Sequence, residues 1–119
     1  MSVILNYNIL IVDDEDDYRE MFALILEEKG YNSYKATSVK EAKEIIKNNK
    51  IDMVITDLIM KNETGLELLH WVKNYNMEIG IIMVTAYGTV ETAVQAIQEG
   101  AYNYFIKSND PSTLLLDIE

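Results

Sequence analysis

Three aspartates, Asp13, Asp14 and Asp57, sit where apolar runs end: the first two close Ile9-Leu10-Ile11-Val12 and the third closes Val54-Ile55-Thr56. Runs of this kind read as buried strands, so the carboxylates fall where strands emerge into solvent. In a parallel α/β sheet, ligands bind beyond the carboxyl ends of the strands, and acids gathered there cannot all stay ionised without a cation or raised pKa values. A hard divalent cation answers that need. Magnesium takes near-octahedral oxygen coordination, keeps several waters and uses one or two carboxylates, which Asp14 and Asp57 can supply. A backbone carbonyl in the loop after Asp57 could complete the protein ligands, with Asp13 acting through a bound water. Asp16 and Asp17 read instead as acids favouring a helix dipole.

A carboxylate beside a metal can also be a nucleophile, forming an aspartyl phosphate while the cation neutralises the transferring phosphoryl group. Asp57 is the candidate. The remaining phosphoryl oxygens need donors, and two other strand ends offer them: Thr85 after Ile81–Val84, and Lys107 after Tyr104-Phe105-Ile106. Alone, each would read as a strand-end threonine or a solvated lysine; their joint position makes a cradle.

The elements that must position these groups follow from periodicity. Short apolar runs at Asn8–Val12, Ile51–Thr56, Ile79–Val84 and Tyr102–Ile106, with a weaker strand at Asn32–Ala36, alternate with helical stripes, which is the α/β signature. Tyr18, Phe22, Ile25 and Leu26 make a first helix closed by Gly30. Ser38-Val39-Lys40-Glu41 and Thr64-Gly65-Leu66-Glu67 match capping boxes opening a second and a third. The third presents His70 and Trp71 on its outer face. Val90, Ala93, Val94 and Ile97 make a mostly core-facing stripe on a fourth, and Asp110-Pro111 caps a fifth. The expected fold is a doubly wound, five-stranded parallel sheet, a flavodoxin-like (βα)5 unit. Residues 1–119 are expected to form a single domain, and the stripe still running at Glu119 suggests a helix cut before another domain.

Composition narrows the function classes. The formal net charge of −10 argues against direct nucleic-acid binding, which needs clustered Lys and Arg. No Cys is present, which fits a reducing, cytoplasmic setting without disulfides or thiolate metal sites. No apolar run is long enough to span a bilayer, and none resembles a signal peptide, so no membrane partner is expected.

As an ordered set, Val12-Asp13-Asp14, the stretch Asp52–Met60 around Asp57, Gly65–Leu69, Val84-Thr85-Ala86-Tyr87 and Tyr104-Phe105-Ile106-Lys107 resemble the receiver domain of two-component response regulators. Tyr87–Val94, with Gly100-Ala101-Tyr102, is similar to receivers joined to AAA+ transcriptional activators that work with the alternative sigma factor. The resemblance implies Asp57 as phosphoacceptor and Asp13, Asp14 and Asp57, with the backbone carbonyl of Ile59, as a magnesium site, manganese (Mn2+) being an alternative to Mg2+. It implies Lys107 and Thr85 on the phosphoryl group, Thr85 and Tyr104 as a switch pair, and Ile59 and Tyr87 flanking the site and tuning water access. Implied partners are a sensor histidine kinase and downstream ATPase and DNA-binding domains. A homodimer through the fourth helix, fifth strand and fifth helix is a further expectation.

Two positions depart from the family pattern. Lys61 and Ser108 stand where proline is usual, and without the typical cis bond after Lys107 that side chain would be re-aimed. Lys61 is either solvated or offsets local acidity. His70, in Leu69-His70-Trp71 on a helix, reads as a solvated surface histidine, without an acidic neighbour marking a kinase site. Rival readings are a magnesium-dependent phosphatase, which would place a second acid where Ile59 stands, and a degenerate receiver-like module, against which the retained acids argue.

Overall fold

The strands β1 (Asn8–Val12) and β3 (Met53–Asp57) are apolar at nearly every position because they lie at the centre of a parallel sheet, buried on both faces. The computed structural model describes residues 7–86 and 90–107. With β2 (Asn32–Ala36), β6 (Gly80–Thr85) and β7 (Asn103–Ile106), these strands form one five-stranded sheet in the order β2-β1-β3-β6-β7. Every pairing in it is parallel. The order reverses direction after β1, which creates the crevice at the carboxyl ends of β1 and β3.

Alternation along the strands divides the core into two layers. Leu10, Val12, Val54, Ile81 and Met83 face α2 (Val39–Asn48), α3 (Gly65–Tyr75) and Ala96 of α4 (Val90–Gln98). Ile9, Ile11, Ile55, Ile82, Val84 and Phe105 face the other way and meet Phe22, Ala23 and Leu26 of α1 (Asp16–Glu28). Sheet and helices therefore hold the strand ends from both sides.

Helix starts follow the expected local chemistry. The Ser38 hydroxyl accepts the Glu41 N–H at 3.1 Å and the Thr64 hydroxyl that of Glu67 at 3.4 Å. The Glu41 carboxylate, however, does not close a reciprocal box; it takes the Thr37 N–H at 2.6 Å. Gly30, with φ of +94°, turns the chain out of α1.

Several expectations need correction. β3, β6 and β7 each begin one or two residues later than the apolar runs suggest, and β3 takes in Asp57 itself. An antiparallel hairpin, β4 (Ile59–Met60) with β5 (Glu63–Thr64), occupies what read as loop. Its turn places Asn62 at φ of +62°, a left-handed conformation that asparagine tolerates better than most residues. Trp71 is half-buried rather than outward: it packs on the core, stacks on Tyr75 at 4.9 Å, and carries the Lys43 ammonium 5.7 Å from its ring centre. Among the described side chains of α4, Ala96 is the buried one and Ala93 is half-buried, while Val94 and Ile97 are exposed, so these two do not face the core as expected. The fifth helix, from Asp110, lies outside the described residues.

Candidate functional site

Strand register assembles the site. Val12 lies opposite Thr56, Asp57 opposite Val84, and Thr85 opposite Ile106, so Asp13, Asp57, Thr85 and Lys107 step across the ends of four strands. Backbone bonds continue the ladder beyond the last paired residues: Leu58 N–H donates to the Val84 carbonyl at 2.7 Å, and Lys107 N–H to that of Thr85 at 2.8 Å. The four polar residues are nearly inaccessible, at 2% for Asp13, 5% for Asp57, 1% for Thr85 and 6% for Lys107. Buried polar groups at this density are expensive unless they are paired or serve a ligand.

One carboxylate oxygen from each of Asp13, Asp14 and Asp57 lies within 4.8 Å of the other two. All are hard oxygen donors, the set a magnesium-type cation prefers, and exposed Asp14 leaves the cluster open to water. Asp57 sits where its negative charge is disfavoured. Burial, and then the nearby Asp13 charge, push its carboxyl up to about 6, against the opposing pull of Lys107 and of the Ile59 N–H.

The Lys107 ammonium is the hub of the pocket. It lies 3.0 Å from Asp13 Oδ2, 3.1 Å from Asp57 Oδ2 and 2.8 Å from Glu15 Oε1, and 4.2 Å from the centre of the Tyr18 ring. Burial alone would lower its pKa, but the bonds to Glu15 and Asp13 and the charges of Asp13 and Asp57 outweigh burial and hold it above the usual lysine range. Glu15 is therefore more than a helix-dipole acid, and it provides no side-chain cap to α1. Neither Glu15 nor Tyr18 was legible as a site residue from spacing, because only the fold brings α1 against the residue after β7.

Gly65 sets how closely α3 approaches. A Cβ there would lie 2.3 Å from the Asp57 carbonyl oxygen and 2.9 Å from Met83 Sδ, so the helix start can rest against the strand only without a side chain. The hairpin reaches back as well: Lys61 N–H donates to Asp14 Oδ2 at 2.9 Å, and Ile59 N–H to Asp57 Oδ1 at 3.3 Å. These elements enclose an open cleft of about 450 Å³, lined in part by Asp14, Asp57, Ile59, Lys61 and Thr85. The Lys61 side chain and that of Ile59 are exposed at its rim.

Tyr104 projects from the same sheet face as Thr85, being opposite Met83 on the neighbouring strand, and its hydroxyl lies 2.8 Å from Thr92 Oγ1 on α4. His70 is exposed, as expected, and its Nε2 contacts Glu99 just after α4, an acid that hydrogen bonds from Gln95 and His70 hold below the usual carboxylate range. That contact joins residues 29 apart and has no local sequence signal. Tyr87 and Ser108 lie outside the described residues.

A family model described as the response regulator receiver domain matches residues 9–119. The chain is 35% identical over 101 residues to the response regulator protein PilR of Pseudomonas aeruginosa, covering 85% of this chain and 23% of that protein. It is also 35% identical to the transcriptional regulatory protein ZraR of Escherichia coli, covering 96% of this chain and 26% of that one. The chain thus spans about a quarter of the length of these relatives. A receiver domain protein from Clostridium thermocellum has a similar structure, with a TM-score of 0.87 and 31% identity over 94% of this chain and 90% of that one. A response regulator from Burkholderia pseudomallei, described with a phosphorylated aspartic acid, calcium ion and citrate, has a TM-score of 0.88 at 29% identity, covering 96% of this chain and 67% of that one.

Proposed function

Because the chain belongs to the response regulator receiver domain family, and so is a signalling domain of two-component systems, we propose that Asp57 accepts a phosphoryl group from a sensor histidine kinase. The observation that carries this is the buried Asp57 carboxylate, clustered with the Asp13 and Asp14 acids and paired with the Lys107 ammonium. A phosphorylated aspartic acid in the similar Burkholderia structure supports the same chemistry.

The residues present fit magnesium, or manganese: Asp13, Asp14 and Asp57 would hold it, with Ile59 contributing a carbonyl, and the ion would neutralise the oxygens of the incoming phosphoryl group. An oxygen of Asp57 bonds to phosphorus as the bond to the donor's imidazole nitrogen breaks, the electron pair leaving with that nitrogen. Lys107 meets the charge that arrives, and the Thr85 hydroxyl turns toward a phosphoryl oxygen. Thr85 and Tyr104 share a sheet face, so movement of the hydroxyl opens space for the Tyr104 ring, and α4 feels the change through Thr92. Ile59 and Tyr87 tune water access and so the lifetime of the phosphoryl group.

The output is a protein surface on α4, β7 and the expected fifth helix, which forms a homodimer or contacts downstream ATPase and DNA-binding domains in the cytoplasm. Regulation of transcription through such domains agrees with the relatives' names and with the net charge of −10, which disfavours direct DNA contact by this domain. Among the described residues no helix is long and apolar enough to cross a membrane. The test is incubation with a small phosphoramidate-type donor, with and without magnesium, followed by intact mass and gel filtration. One added phosphoryl group that requires magnesium is expected; no adduct with any donor would favour a degenerate module.

A further inference from the structure

We propose that Glu15 and Tyr18 are positioning residues that fix the Lys107 ammonium for phosphoryl transfer, an inference that rests on Asp57 being the acceptor. They stand three residues apart, one before and one within the first turn of α1, a spacing that places both over the same side of the helix. From there they reach the residue that follows β7, at the far end of the described chain.

An ammonium has three N–H donors, and in this pocket three carboxylates surround it: Asp13, Glu15 and Asp57. Their roles differ. Asp57 is the reacting group and Asp13 belongs to the acidic cluster, so both change partners when cation and phosphate arrive. Glu15 is not one of the clustered acids and is free to keep its bond throughout. Its side chain is 58% exposed while that of Lys107 is 2% exposed, so an acid anchored at the surface grips a cation sealed inside.

Tyr18 closes the remaining side, its ring centre 4.2 Å from the ammonium, where the electron-rich face of an aromatic attracts a cation. That ring is itself tied to β7: Tyr18 lies 6.2 Å from Phe22, and Phe22 lies 6.2 Å edge-on to Phe105. With one N–H held by Glu15 and the ring limiting rotation, the bond now made to Asp57 Oδ2 can pass to a phosphoryl oxygen without Lys107 searching for its partner. Pre-set geometry of this kind lowers the barrier because the donor need not reorganise during transfer.

The experiment uses the whole chain and compares wild type with Glu15→Gln and Glu15→Asp, following two readouts. One is the nitrogen-15 signal of the Lys107 ammonium in the absence of magnesium and donor. The other is the rate of phosphorylation by a small phosphoramidate. Wild type should show a slowly exchanging ammonium. In Glu15→Gln that signal should broaden and the rate fall about ten-fold, as expected for loss of one charge-assisted hydrogen bond, while the unfolding temperature stays level. Glu15→Asp keeps the charge but is too short to reach, and should resemble Glu15→Gln. An adduct forming at one rate in all three proteins would overturn the role of Glu15 alone. Full recovery in Glu15→Asp would also overturn it, showing that charge and not contact matters. No adduct on wild type, even with an intact ammonium signal, would overturn the acceptor assignment and this inference with it.

Discussion

At the scale of single residues the site is a balance among buried charges. Asp57 is pressed toward its neutral form by burial and by Asp13, and Lys107 only partly relieves it. Its carboxyl sits at about 6 in the folded chain against the ordinary 3.8. Between those values the folded state holds more proton than the unfolded one, so stability falls as pH rises through the window, and the penalty is fully present above it. Asp57→Asn should therefore stabilise the metal-free protein at pH 7.5 by about 1–3 kcal/mol, and the gain should vanish below about pH 4. Chemical denaturation at both pH values measures this; a loss of stability at pH 7.5, or a gain independent of pH, would contradict it. Residue types alone marked Asp13, Asp14, Asp57, Thr85 and Lys107, because acids, a hydroxyl and an ammonium at strand ends have few uses in a doubly wound sheet. Glu15 was hidden among neighbouring acids and Tyr18 within a helical stripe, since their contacts with Lys107 depend on packing between distant parts of the chain, 92 residues apart for Glu15.

At the scale of elements, Gly65 is the tightest constraint on the site. Its missing side chain lets α3 start against the Asp57 carbonyl, and Gly65 N–H bonds the Leu58 carbonyl at 2.7 Å. Gly65→Ala should lower stability by about 1–3 kcal/mol, because the added carbon meets backbone that cannot move aside without shifting β3. It should also slow phosphorylation in proportion to that shift. Unfolding and phosphorylation rates measured on one preparation would decide; an unchanged rate at wild-type stability would contradict the constraint. Strands with continuous apolar runs and helices with a hydroxyl cap were legible because their signals are local. The β4–β5 hairpin was not, having strands of two residues each. Val94 and Ile97 of α4 were misread because periodicity marks an apolar stripe without saying whether a neighbour covers it, and Ala96 is buried where these two are exposed.

At the scale of the molecule, two core layers clamp a sheet whose carboxyl edge gathers the chemistry, while α4, joined to β7 through the Thr92–Tyr104 hydrogen bond, lies beside it. β6 alone separates β3, which carries Asp57, from β7, whose Tyr104 bonds α4, and α4 exposes Val94 and Ile97. With a net charge of −10, the domain is suited to conversing with proteins rather than with nucleic acid. All of this turns on where the phosphoryl group goes. The most direct measurement is to phosphorylate the chain in magnesium, trap the acyl phosphate by borohydride reduction, and map the modified residue by peptide mass spectrometry. Modification at Asp57, absent from Asp57→Asn, is the predicted result; modification at Asp13 or Asp14, or persistence in Asp57→Asn, would contradict the account.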